Sequence, residues 1–527
     1  MTSTLFPNSL AAAIGVGVEN VQVTPVAETL QRRILMYGLA DPDLEGVSFE
    51  YQKLYRVSSP EEVGLKFGYG FELYRIARWL YKSSGGVETW AIASPEDSTP
   101  VQATGAIQVT ASGVLSGILH LYISGEYVPV LVNDDDTSED IENAIVAALN
   151  ADRTLYVYGS TTAPIAGAAN VICKNGSYYG NFVKITFNEG FGQSFPTGVS
   201  VLVTQPSGGV GGVDFSDLYF FDWLGVNDEQ NEKYFTDLVT SSLLTDSTVL
   251  DLISNWNGRG NTFSGNYAKL VQRPLRSLYG NFTSGNAGFN YLTALGDSRK
   301  YDRTNGVIAV PTSPNHPQEI AAVALGHIAR INNGNAAESY VDVILDDVLP
   351  GTTFERWTSD YSRADLAVRA GISPTIVEDG AVKLRNVVTF YHPDDIPTDS
   401  NGYRSMRAIS VLQNITNSVR ANFAQERWRR ISIVADVSKV TSITARQKVK
   451  DKQAVQNDII ALARAWESLG WIYAASFTIN RIKTGNYVEI RPGGTGFNVI
   501  IPVILSGEAW VTDTLIQFDT ALTVFTQ

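Results

Sequence analysis

Alternation of apolar and polar positions is strongest at the end of the chain. Phe497–Leu505 reads FNVIIPVIL, and after Ser506-Gly507-Glu508 the chain continues AWVTDTLIQFDTALTVFTQ. In that last run Ile516, Phe518, Leu522 and Val524 fall on one face, with Gln517, Asp519 and Thr523 on the other. A two-residue period predicts a half-buried strand. A terminal strand with an apolar face has to pair with a sheet, its own or a neighbour's. At the other end, residues 1–26 form an arm ending in VENVQVTPV, whose Val21 and Val23 alternate with polar residues as a short strand does.

Between the arms the pattern switches between periods. RRILMYGLA predicts a buried strand around Ile34–Tyr37. Ser59-Pro60-Glu61-Glu62 supplies a capping hydroxyl, proline at the first helical position and acids at the positive end of the dipole. Phe71, Tyr74, Ala77, Leu80 and Tyr81 carry that helix on to Gly85-Gly86, and ETWAIAS (Glu88–Ser94) is the next strand. Strand, helix, strand predicts a parallel α/β layer. A different unit then intervenes. GILHLYI and YVPVLVN flank Ser124-Gly125-Glu126 as a hairpin, and Thr137–Asp140 opens a helix to about Asn150 with Ile141, Ile145 and Leu149 on one face. Strands follow at TLYVYG, ANVICK and FVKITFN, and Ser207–Gly212 closes the unit as a flexible glycine-rich connector. Residues 101–207 thus read as an insert on the outside, dispensable for the core.

The core resumes at DLYFFDWLG, with helices at Ser247–Asn257, Ala287–Ser298 and Gln318–Ile331 and a strand at Gly306–Pro311. From 386 the pattern changes to helices at Tyr403–Arg420 and Gln453–Leu469, then an antiparallel group in which Thr484-Gly485-Asn486 turns a hairpin between SFTINRI and YVEIR. The expected architecture is a layered α/β core domain with an inserted small α+β domain, an α+β C-terminal domain and extended N- and C-terminal strand arms. Its segments are an N-terminal arm (1–26), core (27–100), insert (101–207), core (208–385), C-terminal domain (386–509) and C-terminal arm (510–527).

At 527 residues the length fits about three or four domains. Hydrophobic content of 44% with 18% charge fits an ordinary globular protein. Net charge of -14 argues against wholesale nucleic-acid binding. Cys173 is the sole cysteine, so no intrachain disulfide forms and a reducing compartment is expected. The apolar run Leu10–Val18 is too short to span a bilayer, so no stable membrane insertion is expected.

Catalytic constellations are weak. His120, His316, His327 and His392 have no ligand spacing to one another and read as structural. Asp134-x-Asp136-x-Ser138-x-Asp140 lacks the glycine and glutamate of a calcium loop and reads as a helix cap. Gly15-Val-Gly17 has no third glycine, and no phosphate loop is present. No catalytic residue, metal site or cofactor is expected. One charge cluster reverses the sign of the chain: Arg404, Arg407, Arg420, Arg427, Arg429, Arg430, Lys439, Arg446, Lys448, Lys450 and Lys452, against Glu426, Asp436 and Asp451. It reads either as a solvated face or as a surface complementary to an acidic partner.

Several blocks, in order, resemble the contractile tail sheath proteins of myophages, in particular the Mu-like branch. They are GVGVENVQVTPVAETLQRRILMYG, the stretch from Tyr55 to Asp97, LYISGEYVPVLVNDDDTSEDIENAIVAALNADRTLYVYG, FNYLTALGDSR, RAGISPTIVEDGAVKLRNVVTFY and FNVIIPVILSGEAWVTDTLIQFDTAL. The family's proline-glycine-valine-tyrosine opening stands here as Ile14–Val18. The resemblance implies a non-enzymatic structural subunit that forms hexameric rings in a helical stack around a tail tube. It implies baseplate and tail terminator proteins as further partners, and assembly in the host cytoplasm into the virion tail. It also implies arms that add strands to neighbours; the local charge reversal, together with the family's use of its core domains near the tube, points to Arg420, Arg427, Arg429, Arg430 and Lys439 as tube-facing. Sheaths of bacteriocin-like particles or contractile secretion systems share these features; an α/β enzyme with an unrecognised carboxylate site is the rival from another class.

Overall fold

Arg33–Leu39 (β1) is buried along almost its whole length, and its side chains alternate between two cores. Ile34 and Met36 enter a cluster with Ile76, Leu80, Leu325 and Ile328, whereas Leu35 and Tyr37 enter one with Val249 and Ile253. A strand covered on both faces reads as a continuous apolar run, the mark of a parallel sheet between helical layers. The computed structural model describes residues 27–44, 49–97, 99–162, 164–213, 234–259, 264–268, 273–351, 357–394 and 402–509. The strand patterns at Val21–Val23, at Asp217–Gly225 and at Ile516–Val524 lie outside them.

The described residues fall into two units. Residues 30–414 with 507–509 form the larger, and 27–29 with 415–506 the smaller. Beside β1 the larger unit contains Leu54–Val57 (β2), Glu88–Ser94 (β3), Asp237–Thr240 (β11), Arg276–Asn281 (β12), Asn305–Ala309 (β13), Ser373–Glu378 (β14) and Ala381–Leu384 (β15). They make one eight-stranded sheet in the order β15-β14-β13-β12-β11-β1-β3-β2, parallel except where β2 and β15 close its edges. The helices Glu72–Ser83 and Pro317–Gly334 cover one face. Ser247–Asn257 and Gly285–Ser298 cover the other.

The single helix expected from Ser59 to Gly85 is two. Ser59 caps Pro60–Phe67 as expected, but Gly68 and Gly70 take φ of 98° and 75° and the helix restarts at Glu72. Glycine adopts that backbone without steric cost, so the pair breaks the helix despite its continuous apolar spacing.

The insert contains Thr104–Ala111 (β4), Gly117–Ile123 (β5), Glu126–Val132 (β6), Val157–Ser160 (β7), Ala169–Cys173 (β8), Ile185–Phe187 (β9) and Val199–Ser207 (β10). The sheets β10-β4-β8-β7 and β6-β5-β9 enclose the helix Ser138–Ala151. Leu119, Leu121, Ile141, Ile145, Leu149, Val171 and Cys173 share that core. The hairpin at Ser124–Glu126 and the Thr137–Asp140 capping box are as expected. The strands β4 and β10 were not anticipated. The connector Ser207–Gly212 is not a loose tether: Val101 and Val210 exchange both backbone hydrogen bonds, at 2.9 and 3.0 Å. Its glycines serve close approach instead, since a Cβ at Gly209 would meet Ser177 O and one at Gly212 would meet Tyr179.

The main segment of the smaller unit runs over residues 415–506, and residues 386–414 fall in the larger unit. Val387, Val388 and Phe390 are buried, and Phe390 N donates to Asn305 O beside β13, so this stretch belongs with the large sheet. SFTINRI is a helix, Ala475–Thr484, not a strand. Its buried Ala475, Thr478 and Ile482 recur at i, i+3 and i+7, a helical face that the β-branched residues disguise. The hairpin lies one element later, between the strands Val488–Ile490 and Phe497–Val499. Of FNVIIPVIL only the first three residues form a paired strand. Ile482 and Val488 pack with Val455, Ile459 and Ile460 of the helix Lys452–Ser468.

Candidate assembly surfaces

The arm residues Val21, Val23, Ile516, Phe518, Leu522 and Val524 lie outside the described residues, but the roots of both arms are visible. Leu30 N donates to Asn414 Oδ1 at 2.8 Å, and Arg32 N to Asn333 Oδ1 at 2.7 Å. At the other root, Glu508 accepts from Ser339 Oγ at 2.8 Å, Tyr340 N at 3.3 Å and Ser405 Oγ at 3.3 Å. The two roots therefore fasten to the same pair of helices, Pro317–Gly334 and the one starting at Met406, or to residues flanking them.

Beneath the roots lies a buried polar network. Arg276 pairs with Asp237, both without exposed side-chain surface, and also donates to Ser410 Oγ. Arg32 donates to Gln413 Oε1 and Ser410 O, while Tyr340 OH donates to Asn332 Oδ1 at 2.8 Å. Arg276 alone pairs with the carboxylate, and Arg32 is held by neutral acceptors. Burial, helped by Arg276, brings Arg32 down to about 10. The partners stand 301 and 381 residues apart in sequence, so no local pattern announces them.

The basic cluster divides. Arg404 and Arg407 are buried in the larger unit, where Arg404 Nη2 reaches Arg369 O and Arg407 Nε reaches Ala337 O. The others sit in residues 415–506, which hold thirteen Lys or Arg against six Asp or Glu, a net of +7. With -14 on the whole chain, the remainder carries -21. Arg420, Arg429, Arg430 and Lys439 are exposed. Arg427 is not, being tied to Asp458 of the helix Lys452–Ser468 at 2.9 Å. Trp428 Nε1 and Asn422 Nδ2 donate to the same carboxylate at 2.8 and 3.0 Å. That junction holds the 425–430 turn, so Arg427 serves the loop that displays Arg429 and Arg430.

The histidines are separate. His120 stacks on Tyr127, His327 lies 3.1 Å from Asp346 and His392 3.3 Å from Asp297. His316 caps the helix Pro317–Gly334. Among the described residues no group of three or more His, Cys, Asp or Glu could hold a metal ion. In the calcium-like stretch, Asp134 accepts from Ser116 N, Asp136 from Asn133 N and Asp140 from Thr137 N. Those carboxylates fold their own loop.

A doubly wound sheet binds ligands outside the carboxyl ends of its strands, where the strand order reverses. That point is the β1/β11 boundary, and the insert fills it: Tyr179 is buried against Leu39 and Leu243. Beside it remains an open cleft of about 410 Å³ lined by Tyr178, Asp246 and Val249 among others.

Over 459 residues the chain is 21% identical to the tail sheath protein of the Mu-like prophage FluMu of Haemophilus influenzae, covering 86% of each. The chain is a distant relative of a prophage tail sheath protein. No family model matches it. A solved structure, a sheath tail protein from Desulfitobacterium hafniense, aligns over 88% of this chain and 91% of its own at 13% identity and a TM-score of 0.40. Among the described residues no helix is long and apolar enough to cross a membrane.

Proposed function

We propose that this chain is the structural subunit of a contractile tail sheath, polymerising as stacked hexameric rings around a tail tube and contracting to drive the tube through a host envelope. The observation that carries this reading is the similarity to a tail sheath protein along 86% of both chains. The strand-patterned arms at 1–26 and 510–527 support it, because each has an apolar face to pair with a neighbouring subunit. A net contribution of roughly 1 kcal/mol per backbone hydrogen bond makes an arm with several bonds a durable tether. The shared fastening of both roots supports it further, since tension on either arm reaches the same two helices.

The exposed cations Arg420, Arg429, Arg430 and Lys439 supply a face for an acidic tube. Individually such contacts are worth under about 1 kcal/mol. Repetition around rings gives register, and weakness of each contact permits release. The extended state is a kinetic trap, so contraction needs no nucleotide. Baseplate and terminator proteins complete the assembly, which forms in the host cytoplasm and ends in the virion. Electron microscopy of the purified protein tests the reading: long tubes with six-fold rings are expected, and small closed oligomers only would overturn it. Neighbouring genes for capsid and portal, as against an unfoldase ATPase, separate a phage sheath from that of a secretion system.

A further inference from the structure

The insert meets the core across a buried cluster of ionisable groups that nothing in the assembly reading uses. The turn Ser124-Gly125-Glu126 sits on the start of the helix Pro317–Gly334: Asn315 Nδ2 donates to Ser124 O at 3.2 Å and to Glu319 Oε2 at 3.3 Å. Gly125 has φ of 82°, and a Cβ there would lie 2.7 Å from Asn315 Nδ2, so the contact is close enough to require glycine. Glu319 Oε2 also accepts from His316 N at 3.0 Å. Glu126 is held by Arg78 Nη1 at 2.6 Å. Deeper in, Glu72 accepts from Ser177 Oγ at 2.7 Å and Tyr156 OH at 2.9 Å. Arg75 packs over the Tyr156 ring at 3.9 Å and donates to Gln318. His316 Nε2 lies 3.0 Å from Tyr179 O.

We propose that this seam is a proton-controlled joint: a protonated Glu319 lets the Ser124–Glu126 turn dock, and loss of that proton to water loosens residues 104–207 from the core. With both carboxyls ionised, Glu319 and Glu126 repel, and no cation forms an ion pair with Glu319, although Arg75 leaves its Nε and Nη1 without hydrogen-bond partners nearby. Arg78 holds Glu126, and Arg75 is turned to Gln318 and Tyr156. Lys82 and Asp152 act on Glu126 with opposite signs. Burial pushes Glu319 up to about 8, Glu126 adding to the rise and Arg75 and the hydrogen bonds from His316 N and Asn315 Nδ2 pulling down. Burial also raises Glu126 and Glu72. A carboxyl raised in this way stabilises the docked state fully below its ordinary range, and that contribution is lost as pH rises through about 8. His316 is held well below its usual range by burial and by Arg75, so it opposes docking only as pH falls below about 6.5. The interval from pH 6.5 to 9 holds the carboxyls and Lys174, which burial brings down to about 8 and which donates across the seam to Tyr69 O at 3.1 Å, so Glu319→Gln is the variant that separates them.

The test places nitroxide labels at Leu131→Cys in the insert and Leu366→Cys in the core of the full-length chain; both positions are exposed. Cys173 is buried and stays unlabelled. Electron–electron double resonance at pH 6.5 should give one narrow distance distribution, broadened by pH 9. Glu319→Gln, which keeps the shape of the side chain, should remain narrow at both. Glu126→Gln, which removes the facing charge, should blunt the broadening. An unchanged distribution from pH 6.5 to 9 in the parent chain, or equal broadening in Glu319→Gln, would overturn the proposal. Should Glu319→Gln fail to fold, the parent titration and Glu126→Gln decide it.

Discussion

Arg427 and Asp458 form a two-pronged pair, with Nη1 donating to Oδ1 at 3.0 Å and Nη2 lying 2.9 Å from Oδ2. A planar fork matched to a buried carboxylate is a stronger contact than a surface ion pair. Asp458 also receives Trp428 and Asn422, so one carboxylate orders the turn beneath the exposed arginines.

Arg427→Ala should therefore destabilise the smaller unit by about 2 kcal/mol, the usual range for hydrogen bonds to a charged group. Arg429→Glu with Arg430→Glu should leave stability within about 0.5 kcal/mol yet impair assembly on tail tubes. Denaturant unfolding and sedimentation with purified tubes measure the two effects. Normal co-sedimentation of the double variant would remove the tube-facing role.

At the chain's other landmark, removal of residues 510–527 should leave a folded monomer that cannot polymerise. Glu508→Ala cuts the three bonds that fasten the arm's root while keeping the arm. It should produce shorter or fewer tubes at nearly unchanged monomer stability. Normal sheath from the truncated chain would sink the linkage idea.

Excision of residues 101–207, expected from the sequence to spare the core, should now abolish its cooperative melting. Glu72 would lose Tyr156 and Ser177, His316 would lose Tyr179, and the apolar contact of Tyr179 with Leu39 and Leu243 would be replaced by water. Survival of a sharp calorimetric transition in the excised chain would show that the seam is not integral to the core.

Asp246 gives a pH signature of its own. Burial raises it from the ordinary 3.8 to about 6, against the pull of Leu243 N–H. Its contribution to stability is thus fully present below pH 4 and lost as pH rises through 6. Asp246→Asn should flatten that decline and be more stable at pH 8 by about 3 kcal/mol, seen in melting curves across pH 4–8. An equal slope in the variant would show that other groups set it.

Cys173 lies inside the insert core, where burial pushes its thiol up to about 12. A thiol that stays protonated is a poor nucleophile. Disulfide reagents should leave the native chain untouched and titrate one thiol after denaturation. Rapid reaction of the native chain would mean that the insert opens readily.

What the sequence determined by itself lies within a few residues of itself. The Ser59 and Thr137 caps, the buried run of β1, the Ser124–Glu126 hairpin and the helix Lys452–Ser468 were legible because caps and hydrophobic periods act over one or two turns. The failures are instructive in the same terms. SFTINRI carries strand-favouring residues but packs on a helical face, because Ile482 has Val455 and Ile459 to meet. The connector Ser207–Gly212 has a flexible composition, yet pairing with Val101 and contact with Ser177 and Tyr179 fix it. Only the tertiary structure decided that Arg427 belongs to Asp458, that both arm roots fasten on or beside the same two helices and that the insert occupies the crevice of the large sheet. Each of those outcomes depends on which buried charge finds which distant partner. Burial makes such choices costly to get wrong, but a linear pattern holds no record of the distance that folding removes.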